Sequence, residues 1–146
     1  MSMKKIIAVS ACLLGCDCKY NGGSNLDENV IQFVKGYKVV SVCPEVLGGM
    51  TTPRKPSEIQ PDGSVMNKIG EDVSAYFDRG KLATLAILKQ NNCTEIILKD
   101  GSPSCGYTQV YDGTFTYKLI SGKGITTQYL TDNGITIVDF HKIGQR

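Results

Sequence analysis

The sequence predicts one α/β domain spanning residues 1–146, a Rossmann-like three-layer arrangement around a mostly parallel sheet. Three observations predict it. Four short, mostly β-branched apolar runs recur without strict alternation, as in strands covered on both faces. Helical periodicities separate them in the order β-α-β-α-β-α-β, which right-handed crossovers wind into a doubly wound sheet. A chain of 146 residues, 41% of them hydrophobic, is long enough for one core, and it has no repeat, low-complexity tract or long polar linker at which to divide it.

The first strand falls at 4–10, within "KKIIAVS". Its basic start, its apolar run and the later Cys16 imitate a lipoprotein signal. Ser10 interrupts that run, however, and cleavage before Cys16 would delete a strand the fold needs. "SNLDENVIQFVKG" is a helix with Ser24 as N-cap, acids in its first turn, apolar Val30, Ile31 and Val34, and a closing Gly36. The second strand, 37–43, ends on Cys43. Residues 44–69 then form a long excursion holding four of the five prolines. "EDVSAYFDRGKLATLAILKQNN" is the second helix, with Gly80 a weak point, and a third strand follows at 94–99. After a second excursion at 100–122, the shorter helix "GKGITTQYLTDNG" stops at Asn133-Gly134, ahead of a strand at 134–139.

A net charge of +2, with no basic run beyond Lys4-Lys5, gives no reason to expect a nucleic-acid partner. No apolar stretch approaches the ~18 residues that span a bilayer, so a cytoplasmic protein is expected. Oligomeric state leaves no signal in the sequence.

Six cysteines are many for this length: Cys12, Cys16, Cys18, Cys43, Cys93 and Cys105. In a regular α/β chain from a reducing compartment, clustered thiols point to metal or catalysis. Cys93, just ahead of a strand, reads as a small core residue. Cys12, Cys43 and Cys105 lie at or just past strand ends, 31 and 62 residues apart, on the edge where open α/β sheets bind ligands. A zinc site normally wants four ligands; Cys16-Asp17-Cys18 is too tight a pair for one, and the terminal His141 is a weak fourth ligand. Cys12-x3-Cys16-x-Cys18 misses the pattern of radical S-adenosylmethionine enzymes by one residue. "SGKGIT" is no phosphate loop, because Gly124 stands where Ser or Thr should bind magnesium and Tyr117 replaces the leading glycine. A redox C-x-x-C pair is absent. The remaining option is a cubane iron–sulfur cluster held by three cysteines, whose open iron is a Lewis acid that prefers sulfur. A non-catalytic iron–sulfur or metal-binding module is the rival.

The motifs "SACLLG" with "KYNGG", "CPEVLGGMTTPRKPSEI", "LKDGSPSCG", "GTF" and "GKGITTQYL", in that order and over nearly the whole chain, resemble those of the thiouracil desulfurase family. The resemblance implies a 4Fe–4S cluster on Cys12, Cys43 and Cys105 and, as substrate, a small thiolated nucleobase such as 2-thiouracil. It implies non-redox desulfuration, in which water replaces sulfur at carbon and sulfide leaves through the cluster as hydrogen sulfide. Such chemistry needs a base for water and a donor for the departing group. Glu45, two residues after Cys43, is the expected base, and Ser104, beside Cys105, the expected hydroxyl, with Ser102 second. A carrier would need no such base. Ser10 and Tyr20 are weaker candidates for the pocket wall. Arg54 and Glu58 fit the family motif and read at least as well as an ion pair bracing the long loop. Cys16 and Cys18 are expected as free thiols near the site.

Overall fold

In the computed structural model, which describes residues 5–140, the chain begins with strand β1 (Ile6–Ser10) and a 3-10 turn (Ala11–Leu14). Then come α1 (Glu28–Phe33), β2 (Lys38–Val42) and the one-turn α2 (Pro44–Leu47). A hairpin, β3 (Ser57–Ile59) with β4 (Val65–Asn67), precedes the long helix α3 (Ser74–Gln90). β5 (Glu95–Ile97) leads to a second hairpin, β6 (Gln109–Tyr111) with β7 (Leu119–Ser121). Helix α4 (Ile125–Asp132) and β8 (Thr136–Ile137) complete the described chain.

The central sheet is parallel throughout, in the order β2-β1-β5-β8. Strand alternation divides the core between its two faces. Ile7, Val9 and Ile97 pack with Leu13, Val30 and Val34 on the α1 side. Ala8 and Ile96 pack with Leu85, Leu88 and Leu130 under α3 and α4. The result is the expected three-layer α/β sandwich. From β1 the chain moves to β2 on one flank and then to β5 on the other, so the switch point lies at the carboxyl end of β1.

Local boundaries differ from expectation in instructive places. Helix α1 starts at Glu28, not after Ser24, because Asp27 is the N-cap and accepts from Asn29 N (2.9 Å) and Val30 N (3.3 Å). Gly80 is no weak point. A Cβ there would overlap the Pro44 carbonyl, and one at Gly48 would overlap that of Tyr76, so the two glycines let α2 lie directly on α3. Arg79 Nε clamps the same contact by donating to Gly48 O at 3.1 Å. Each long excursion carries a small antiparallel hairpin in place of irregular loop. His141 lies outside the described residues. No helix among those residues is long and apolar enough to cross a membrane.

Candidate active site

A cavity of about 380 Å³ opens at the carboxyl edge of β1, β2 and β5. Four thiols line it: Cys12 from the turn after β1, Cys18 from the following loop, Cys43 at the end of β2, and Cys105 beyond β5. Cys16 is exposed and does not line it, and Cys93 is buried in the core under α3. A larger hollow of about 510 Å³ beside α1 holds no thiol, and chemistry therefore points to the first.

Each of the three strand-end thiols is fixed by its neighbours. Asn25 Nδ2 donates to Cys12 Sγ at 3.3 Å, and Asn25 N to the Cys12 carbonyl at 3.0 Å. Cys43 is the N-cap of α2, with Pro44 opening the helix behind it. Cys105 sits in a loop built around a residue the sequence reading passed over. Buried Asp100, from the end of β5, accepts backbone N–H groups of Gly101 (3.0 Å), Tyr107 (2.8 Å) and Thr108 (3.1 Å) on Oδ1, and the Thr108 hydroxyl on Oδ2. Only the "KDG" turn composition hinted at it.

Burial pushes the Cys105 thiol well above the usual range; the nearby Glu45, Cys12 and Cys43 add to the rise, and a hydrogen bond from Ser10 opposes it. Burial also raises Cys12, helped by Cys43 and opposed by Asn25 and Lys99. Cys18 is raised by burial first and then by the Cys43 and Cys16 thiols. Burial and the neighbouring thiols thus disfavour the thiolate at all three. Iron would displace their protons. No three His, Cys, Asp or Glu side chains among the described residues converge to hold a single metal ion. Cluster thiolates bind separate irons, so they need not meet at a point.

Glu45 lines the cavity, and its Oε1 accepts from Arg54 Nε at 3.0 Å, both side chains being largely buried. Burial pushes the Glu45 carboxyl above its ordinary value, against the pull of the Arg54 charge and hydrogen bond. Among the described residues no hydrogen bond to Oε2 is found, so that oxygen is the free acceptor. Arg54 also reaches the Cys18 carbonyl (3.0 Å), the Thr51 carbonyl (3.2 Å) and the Thr52 hydroxyl (3.1 Å), tying the Cys18 loop and the 51–52 turn to the Glu45 carboxylate. An Arg54–Glu58 pair is therefore not formed. Glu58 instead accepts from Gly113 N (2.9 Å) and Phe115 N (3.1 Å).

Ser10, Tyr20 and Ser102 line the cavity and Ser104 does not. Ser102 Oγ accepts from Cys105 N at 2.7 Å, leaving its proton free to be donated. Ser104 lies behind the wall; its carbonyl receives Thr126 N at 3.0 Å, and its buried Oγ has no hydrogen-bond partner among the described residues.

A parallel three-layer fold with a thiol-lined cavity at the switch point and a largely buried carboxylate inside it defines a class: α/β proteins with a cysteine-rich pocket at the carboxyl edge of the sheet. Residues 7–141 match the family model of 2-thiouracil desulfurase. The chain is 37% identical over 147 residues to YbbK of Bacillus subtilis (strain 168), an uncharacterized protein, covering 94% of this chain and 97% of that one. It also superimposes, with a TM-score of 0.88 and 37% identity, on the solved structure of the 4Fe-4S-dependent thiouracil desulfidase TudS, over 97% of this chain and 95% of that one. The chain belongs to the 2-thiouracil desulfurase family.

Proposed function

We propose that the protein hydrolyses the carbon–sulfur bond of a thiolated pyrimidine such as 2-thiouracil, with a 4Fe–4S cluster held by Cys12, Cys43 and Cys105. The observation that carries this reading is the largely buried Glu45 carboxylate, with one oxygen free, in the cavity that those three thiols line. The donor set fits such a cluster. Asn25 donates to one sulfur and Ser10 to another, and Lys99 adds positive charge beside Cys12. When bound, the cluster supplies an iron without a protein ligand, a Lewis acid for the thiocarbonyl sulfur.

The reaction balances without electrons. The oxygen of water bonds to the ring carbon, the C–S bond breaks, and sulfur leaves with both protons of water as hydrogen sulfide. Glu45 Oε2 takes the first proton as water attacks and returns it to the departing sulfur. Arg54 keeps the carboxylate aimed by holding Oε1. Of the two hydroxyls in "SPSCG", Ser102 faces the cavity and suits the donor role, while the Ser104 hydroxyl lies outside the cavity lining and is without a hydrogen-bond partner among the described residues.

Anaerobically reconstituted protein tests the proposal. It is expected to be brown, with about four irons per chain, and to release sulfide from 2-thiouracil. Cys12→Ala, Cys43→Ala or Cys105→Ala should abolish colour, and Cys93→Ala should not. Glu45→Gln should retain iron yet lose about 10²–10⁴-fold in turnover. Ser102→Ala should lower turnover more than Ser104→Ala does. A colourless zinc protein, or a cluster-replete Glu45→Gln variant of undiminished turnover, would defeat the respective assignment.

A further inference from the structure

We propose that Tyr117 is a stacking platform that closes over the substrate ring at the cavity mouth. This inference rests on the thiolated-pyrimidine reading and adds to it the residue that grips the ring. Tyr117 lines the cavity although 82% of its surface is exposed. It projects from the loop between β6 and β7, where both Phe115 (φ 58°) and Tyr117 (φ 62°) hold left-handed backbone. That conformation costs free energy at a bulky aromatic residue, and such strain gathers at ligand clamps.

The loop does not adopt this shape for want of restraint. Buried Glu58 on β3 commits its carboxylate to the Gly113 and Phe115 N–H groups at 2.9 and 3.1 Å. Gln60 adds a bond from Nε2 to Gly113 O at 3.2 Å, and Asp112 N donates to Lys118 O at 2.9 Å. A buried acid, whose desolvation is costly, thus goes to present an aromatic ring to water at the mouth of the site. Among the described residues nothing covers that ring, so its partner enters from outside. A flat heterocycle with π-faces is the ligand class that an exposed tyrosine recognises best. Tyr20, half-exposed on the same cavity, offers a second aromatic wall.

Uracil is the probe, because it has the ring but no sulfur and so reports on stacking separately from iron binding. On cluster-replete protein, calorimetric titration should show Tyr117→Ala binding uracil about 5- to 150-fold more weakly than wild type, with iron content unchanged. Tyr117→Phe should keep wild-type affinity. The natural chain has no tryptophan, so Tyr117→Trp creates a sole reporter whose emission should change on adding uracil. Equal affinity in wild type and Tyr117→Ala would overturn the stacking role alone. So would an alanine variant altered only in self-association, since exposed Leu119 and Ile120 flank the same patch. Failure of wild type to bind uracil, or to desulfurise thiouracil, would overturn the substrate reading and the stacking role with it.

Discussion

Replacing Asp100 by Asn should loosen the Cys105 loop without changing its shape or volume. The Asp100 carboxylate receives three well-formed backbone N–H bonds on Oδ1, from Gly101, Tyr107 and Thr108 at 2.8–3.1 Å. A fourth, from Gln109 N at 3.4 Å, is too long to weigh heavily. Hydrogen bonds to a charged acceptor contribute about 1.5–3 kcal/mol each, against about 0.5–1.5 for neutral pairs, so neutralisation costs about 1 kcal/mol per bond. The Thr108 hydroxyl can turn round and accept from the new amide, so its bond is not counted. The total loss is about 3 kcal/mol, or roughly 6–12 °C in Tm for a chain of this size. Circular-dichroism melting of wild type and Asp100→Asn in the same metal state measures it, and iron analysis after reconstitution shows whether Cys105 is still delivered. A melting point within about 2 °C of wild type, with full iron, would refute the view that this carboxylate organises the loop.

Other expectations concern the base, the thiols and the α2–α3 contact. Glu45 must be ionised to accept a proton and burial raises its pKa, so turnover should fall on acidification at a pH above that of an ordinary glutamate. Arg54 opposes that rise, so Arg54→Met should move the acid limb of kcat/KM to still higher pH; an unmoved limb would separate Arg54 from the base. Because burial raises the Cys12 and Cys105 thiols, cluster assembly must expel protons, and anaerobic reconstitution yield should climb with pH. Gly80→Ala gains about 1 kcal/mol of helix propensity but drives a methyl into the Pro44 carbonyl, so net destabilisation of about 1–2 kcal/mol is expected by urea unfolding.

The parts of the molecule legible in its sequence are those with a local signature. Apolar runs gave the four parallel strands, and thiols placed just past three of them pointed to one edge, where the cavity lies. Ser24 and Asp27 are both good capping residues three positions apart, and composition does not rank them; the Asp27 hydrogen bonds do. The strands of both hairpins have three residues each, too few for alternation to register. Arg54 and Glu58 are close in sequence and opposite in charge, which suggests a pair. The β3 strand turns Glu58 toward the 113–115 loop, and the guanidinium finds Glu45 instead. Asp100 was missed for the same reason, since its partners are defined by how a loop folds back and not by spacing.

The division of labour between central sheet and hairpins has an evolutionary consequence. The strand-end thiols hang on the rigid parallel core, whereas Tyr111, Tyr117 and Leu119 reach the cavity from the β6–β7 hairpin. Changes of length or sequence in that hairpin leave the register of the central sheet untouched. Selection can therefore rewrite which molecule the cavity admits while the strand-end thiols stay in place, and grafting residues 109–121 between relatives is the natural route to testing what the hairpin selects.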